Sequence, residues 1–230
     1  KIWRDSGVVG GNFPKDLTLA LGSITTKPID MALFYAALAN GGFQVTPQYI
    51  YKIENKFGEI IYEAKPQKKK IFEPEDVAIL TYMLQNAVNY GTGQSAKVFK
   101  NGKLIPMAGK TGTTSDYVSA WFTGYTPTLA TVVYVGNDDN KSMGGGMTGG
   151  AAAGPIWKNY MQSVVNIENY NVGFFEFIDD YIKRKDLTLR EIDLKIGLLD
   201  TDGVDRRTAL FKAGTEPIEY EGKFKGGITY

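Results

Sequence analysis

The 230-residue sequence predicts a mixed α/β fold of the α+β kind, an antiparallel sheet flanked by helices. Three observations predict it. Two segments of helical period begin at prolines and end at glycines, near residues 28–42 and 74–91. Three short apolar runs follow one another between residues 107 and 135. A last helical segment, Pro155 to Val165, is placed to pack back across those runs.

Taken in order, the first helix opens at Lys27-Pro28-Ile29-Asp30 and puts Met31, Leu33, Phe34, Ala37 and Leu38 on one face, with Asn40-Gly41-Gly42 as its stop. Residues 47–64 read as a hairpin: Tyr49, Tyr51 and Ile53 alternate, Lys56-Phe57-Gly58-Glu59 turns, and Ile60 to Tyr62 return. Lys68-Lys69-Lys70 is a solvated run. The second helix starts at Pro74-Glu75-Asp76, whose acids suit the positive end of the dipole, and runs through Val77, Leu80, Met83, Leu84 and Val88 to Gly91. Gly91-Thr92-Gly93 is a loop. Met107 to Thr114, Ala120 to Tyr125 and Ala130 to Val135 read as adjacent antiparallel strands, with Thr126-Pro127 turning between the last two. Gly144 to Gly150 is a flexible glycine-rich connection, and from residue 169 aromatic and charged residues give way to Gly-punctuated extended pieces. We therefore divide the chain into residues 1–168 and a small separate extension, 169–230.

Composition narrows the chemistry. Lys+Arg 26 against Asp+Glu 25 leaves a net charge of +1, so no polyanionic partner such as nucleic acid is called for. Histidine and cysteine are both absent, which removes imidazole-based triads and the usual zinc ligands and leaves acid–base work to Lys, Tyr, Asp or Glu. No metal and no cofactor is expected. No apolar run reaches the length of a membrane span. The chain begins without methionine in a loop holding Gly7, Gly10, Gly11 and Pro14, and we expect a fragment of a longer protein.

The segment carrying chemistry is Lys110-Thr111-Gly112-Thr113-Thr114. On an extended strand residues two apart share a face, so Thr111 and Thr113 present hydroxyls to one side, while Gly112 allows a substrate backbone or a neighbour to come close. A cation and two hydroxyls on such a strand suit a carboxylate and an oxyanion. Alone, the same residues also describe an ordinary solvated β edge. A phosphate-binding loop is a rival reading of Gly109-Lys110-Thr111; it fails because its first glycine position holds Leu104 and the residues after Thr111 continue as strand.

A wider set of segments then comes into view. Leu19-Ala20-Leu21-Gly22-Ser23, Tyr35-Ala36-Ala37-Leu38-Ala39-Asn40-Gly41-Gly42, Tyr90-Gly91-Thr92-Gly93, Ala108 to Thr114, Trp121-Phe122-Thr123-Gly124-Tyr125 and Gly154-Pro155-Ile156-Trp157 stand in the order seen in class A (bifunctional) penicillin-binding proteins, and Gly214-Thr215-Glu216-Pro217 resembles their C-terminal extension. Lys110-Thr111-Gly112 matches the third motif of that family. The resemblance implies the serine β-lactamase and penicillin-binding transpeptidase fold, here incomplete at the N-terminus. It implies peptidoglycan D,D-transpeptidation, acyl transfer through a serine ester, with β-lactams as inhibitors. Lys110 would set the electrostatics, the Thr111 and Thr113 hydroxyls would bind the terminal carboxylate of the donor stem peptide or of a β-lactam, and the Thr113 N–H would be one oxyanion donor.

The family's other two motifs are missing. No serine here is followed by lysine at the third position or by asparagine at the second; Ser95-Ala96-Lys97 is one residue short, and we read Ser95 as an ordinary loop serine. The nucleophile is expected in an upstream part of the same enzyme, along with a glycosyltransferase domain and a membrane anchor that would place it on the extracytoplasmic face of the bacterial inner membrane. Rival activities are D,D-carboxypeptidase or β-lactamase, in which water takes the acyl group, and a non-catalytic β-lactam sensor or peptidoglycan-binding module. Trp121, Phe122 and Tyr125 are expected to pack, and Asp138-Asp139 to form a solvated turn. The isolated chain should form no covalent penicillin adduct, and should either bind a second polypeptide or expose an apolar sheet face.

Overall fold

The computed structural model describes residues 16–18, 22, 24–65, 68–199 and 205–220. The N-terminal glycine loop and most of Leu19 to Ser23 lie outside these.

Helix α1 spans Pro28–Ala39. Pro28 occupies the first turn, where its missing N–H costs nothing, and the chain leaves the helix through Gly41 and Gly42, both at positive φ. Gly42 is obligatory for a second reason: a Cβ there would meet the Phe72 carbonyl oxygen at 2.8 Å. The hairpin that follows pairs β1 (Lys52–Glu54) with β2 (Ile60–Glu63), as expected, but every residue of both strands is exposed. Helix α2, Pro74–Asn89, buries Val77, Ala78, Thr81, Leu84 and Val88, whereas Leu80 and Met83 face outward, Met83 being 61% exposed. The face expected from the sequence is thus rotated: Thr81 sits inside because its hydroxyl is 2.8 Å from that of buried Tyr125, which removes the cost of burying it.

Between α2 and the main sheet, β3 (Phe99–Lys100) and β4 (Lys103–Leu104) close a tight hairpin over Asn101-Gly102, both at positive φ. Asn-Gly is the strongest short-range signal for such a turn, and this hairpin is an addition to the elements expected from the sequence. The central sheet has the order β5-β6-β7, with β5 Ala108–Thr113, β6 Ser119–Tyr125 and β7 Ala130–Gly136, all antiparallel. A turn of π-helix, Gly149–Ala153, leads into helix α3, Gly154–Val165. Beyond it come helix α4, Glu176–Lys183, which the sequence reading did not anticipate, and a long hairpin of β8 (Leu187–Asp193) with β9 (Arg206–Lys212).

Two apolar cores hold these layers. On one face of the sheet, Phe122 packs on Trp157 of α3 with ring centroids 5.1 Å apart, joined by Val88, Val98, Met161 and Val165. The Trp157 indole N–H donates to the Thr131 carbonyl at 3.0 Å, so the ring is buried without an orphan donor. On the other face, Leu38, Val77, Ala108 and Tyr125 meet Phe175, Ile178, Leu187 and Leu210 from beyond residue 168. The exposed apolar sheet face expected above is not found among the described residues: α1 packs across β6 and β7, α3 covers the opposite face, and six of the seven β6 residues are buried. Several of the large exposed apolar side chains lie on and around the β1–β2 hairpin, where Tyr49, Tyr51, Phe57 and Ile61 are 88, 74, 77 and 68% exposed.

Candidate active site

The site is built on β5, which lies at the edge of the three-stranded sheet. Its first two residues, Ala108 and Gly109, are buried; its last four, Lys110 to Thr113, open onto a cleft. Gly109 permits the close packing beneath: a Cβ there would meet the Phe122 ring at 2.9 Å and the Thr123 carbonyl at 3.0 Å. The cleft encloses about 550 Å³ and is walled on the far side by Ile24, Thr26, Met31 and Tyr35. The Tyr35 phenol, pushed up to about 12 by burial, stays protonated near neutral pH and can donate but not act as a base. Burial likewise raises Tyr125, despite its bond to Thr81.

Hydrogen bonding along β5 decides what it offers. The Thr114 N–H donates to the Ser119 carbonyl at 3.1 Å, and Thr113 lies opposite Ala120 in the register. In an antiparallel ladder the inward-pointing residues alternate, so the Thr113 N–H points away from β6, toward the open edge. The Thr113 hydroxyl accepts the Gly149 N–H at 2.9 Å, which leaves its own proton available. Thr111 and Thr113 do share a face, the one on which the Gly149–Ala153 turn sits. Lys110 starts from the opposite face, yet its ammonium reaches 3.0 Å from the Thr111 carbonyl and 3.3 Å from the Thr111 hydroxyl by wrapping around the strand. The four residues singled out from sequence, Lys110, Thr111, Gly112 and Thr113, therefore line one cleft.

Three further groups, to which no sequence motif points, brace this strand. The Thr92 hydroxyl lies 2.7 Å from that of Thr111. Ser95, expected to be an ordinary loop residue, donates to the Gly150 carbonyl at 2.6 Å. Gly149 fits only because it lacks a side chain, since a Cβ would collide with the carbonyls of Trp121 and Gly112. The second half of the glycine-rich stretch is accordingly not a flexible connection. Thr148 caps it, accepting from the Ala151 N–H, and close backbone packing holds it on β5. Only Gly144 to Gly146 are open and exposed.

Phe122 and Tyr125 are core residues, but Trp121 is half-buried, lines the cleft and meets Tyr134 edge-on with centroids 4.8 Å apart. Asp139 is an exposed turn residue whose carboxylate is held below its ordinary value by Lys141, 2.7 Å away. Among the described residues no group of three or more acidic, His or Cys side chains could hold a metal ion. The arrangement as a whole offers an anion two hydroxyl protons and an ammonium, and offers a developing oxyanion a backbone N–H that has no partner among the described residues, all at one sheet edge.

The family model for the penicillin binding protein transpeptidase domain matches residues 6–162. Penicillin-binding protein 1A of Neisseria gonorrhoeae is 35% identical over 164 residues, covering 69% of this chain and 20% of that protein. Among solved structures, penicillin-binding protein 1A from Haemophilus influenzae superposes with a TM-score of 0.73 at 25% identity, covering 94% of this chain and 36% of that one. The PonA1 protein from Mycobacterium tuberculosis, solved in complex with penicillin V, has the same fold at a TM-score of 0.62 and 24% identity, over 75% of this chain and 50% of its own. The chain thus spans about a fifth of the length of the gonococcal relative.

Proposed function

This chain belongs to the penicillin-binding protein transpeptidase family, and from that premise we propose that it supplies the Lys110-Thr111-Gly112-Thr113 strand of a serine-type peptidoglycan D,D-transpeptidase inhibited by β-lactams. The observation that carries the reading is the set of free donors at one edge: the outward Thr113 N–H, the Thr113 hydroxyl proton, and the Lys110 ammonium beside Thr111.

In this reading the C-terminal carboxylate of the donor stem peptide binds the Thr111 and Thr113 hydroxyls. A serine outside these 230 residues attacks the penultimate carbonyl, whose oxygen takes negative charge against the Thr113 N–H. The terminal D-alanine leaves with a proton, and the amine of a second stem peptide then displaces the serine ester. Preorganised donors of this kind contribute about 3 kcal/mol each to lowering such barriers. Lys110 stabilises the anionic groups. Tyr35, protonated, can donate a hydrogen bond across the cleft.

We propose further that residues 1–168 are the C-terminal part of the transpeptidase domain and 169–230 a small extension docked on it, a division supported by the end of the family match at residue 162. No helix among the described residues is long and apolar enough to cross a membrane; the extracytoplasmic location is proposed from family membership. Intact-mass spectrometry of the complete enzyme after incubation with a penicillin tests the reading. One acyl adduct is expected per enzyme, mapping by peptide analysis to a serine outside this chain. An adduct on Ser95 or any other serine of this chain refutes it.

A further inference from the structure

We infer that Thr92 is a positioning residue for the carboxylate site: it fixes the Thr111 hydroxyl so that its proton is directed at the substrate. The inference rests on the proposed role of Thr111 and concerns a residue that does not itself line the cleft.

The Thr111 oxygen has two lone pairs and its hydroxyl one proton. Lys110 donates to that oxygen at 3.3 Å, and Thr92 lies 2.7 Å from it. When Thr92 is the donor, both lone pairs are occupied and the Thr111 proton has only the cleft to point at. Were Thr111 the donor, it would turn a lone pair toward an incoming carboxylate, so an anion in the cleft selects the first arrangement. Accepting two hydrogen bonds also polarises Thr111 and strengthens the bond it donates. The same logic already holds for its partner, because Thr113 accepts from the Gly149 N–H and keeps its proton free. The two hydroxyls are thereby matched as a pair of donors, each set by a neighbour on the side away from the ligand.

Thr92 can do this only if its loop is held, and three contacts hold it. Gly91 and Gly93 lie flat on the last turn of α2, where a Cβ would meet the Ala87 carbonyl at 2.9 and 3.1 Å, and the Gly93 N–H donates to that carbonyl at 3.0 Å. The Thr92 carbonyl presses on Gly150, where a Cβ would sit 2.9 Å from it. Tyr90 is covered by the Arg207 guanidinium from β9, 4.2 Å from the ring centroid.

The test uses the complete enzyme and two probes, a penicillin with its free carboxylate and the same penicillin as its methyl ester, following second-order acylation by each. For Thr92→Val we expect acylation by the free penicillin to slow about tenfold, the size of a lost hydrogen bond to a group serving an anion, with the rate for the ester unchanged. Thr92→Ser, which keeps the hydroxyl, should return the free-carboxylate rate to within about twofold of wild type. A Val variant that matches wild type, or one that loses both rates equally, overturns the role of Thr92. A wild-type enzyme that takes up neither probe overturns the functional reading beneath it as well.

Discussion

The two ends of β5 are six residues of one strand under opposite demands. Ala108 and Gly109 are buried against Phe122 and Tyr125, while Lys110 to Thr113 stand along an open cleft. The buried end has no chemistry and the open end has little packing of its own. What the contrast teaches is that the open end is held in place from outside itself: by the core under its first two residues, by the 91–96 loop through Thr92 and Ser95, and by the π-helical turn through Gly149. An edge that is to bind an anion must keep its donors in a fixed position, and a β-strand anchored at one end and braced at its side does so.

The contrast is broken most forcefully at the anchor. Phe122→Ala removes a ring with no exposed surface that touches Trp157 and lies beneath Gly109 and Gly124, and it should cost about 3–5 kcal/mol of unfolding free energy in denaturant titrations. A cost below about 1 kcal/mol would mean that the strand is anchored elsewhere. At the open end the effect should shift from stability to rate. Lys110→Ala should lower β-lactam acylation about a hundredfold, with Lys110→Arg only a partial rescue because a bulkier planar guanidinium does not fit the place of the compact ammonium. Thr113→Val should lower acylation about tenfold and destabilise by about 1 kcal/mol, since the Gly149 N–H loses its acceptor. Full acylation in the Lys110→Ala enzyme would return this strand to an ordinary solvated edge.

The smallest effect is expected from pH. Burial raises Tyr35 from an ordinary 10.0 to about 12, and Tyr125 is raised also. Both groups are neutral in either state below pH 10, so stability should not depend on them there. Between about pH 10 and 12 the unfolded chain ionises first and stability should fall. Tyr35→Phe should flatten that decline in alkaline unfolding curves; an unchanged slope would show that this phenol is not shielded.

Much of the frame was legible because its punctuation is local. Pro28 and Pro74 start helices, Asn40-Gly41-Gly42 stops one, and Thr126-Pro127 turns β6 into β7, each acting within a few residues. What was not legible depended on partners distant in sequence. Thr81 reads as a polar interruption until Tyr125 is placed against it, and that pairing moved the buried face of α2 off Met83. The alternation at Tyr49, Tyr51 and Ile53 correctly gave a hairpin but not its burial, because among the described residues no other element covers it. Thr111 and Thr113 could be put on one face by counting; Thr92, nineteen residues before Thr111, could be joined to them only by the fold. The hairpin at Asn101-Gly102 and helix α4 were different failures, in which the signal was present and passed over: the Asn-Gly turn, and the apolar spacing of Phe175, Ile178 and Ile182.

The second core has a consequence for biosynthesis. Leu38, Val77 and Ala108 share it with Leu187 and Leu210, so the apolar faces of α1 and α2 leave the ribosome long before their last neighbours exist. At elongation speeds of about 5–20 residues per second, that interval lasts on the order of ten seconds or more. The nascent chain must therefore pass through a stage in which the cleft strand β5 is already made but the platform behind it is unfinished, and during that stage it is a candidate for chaperone holding rather than for folding.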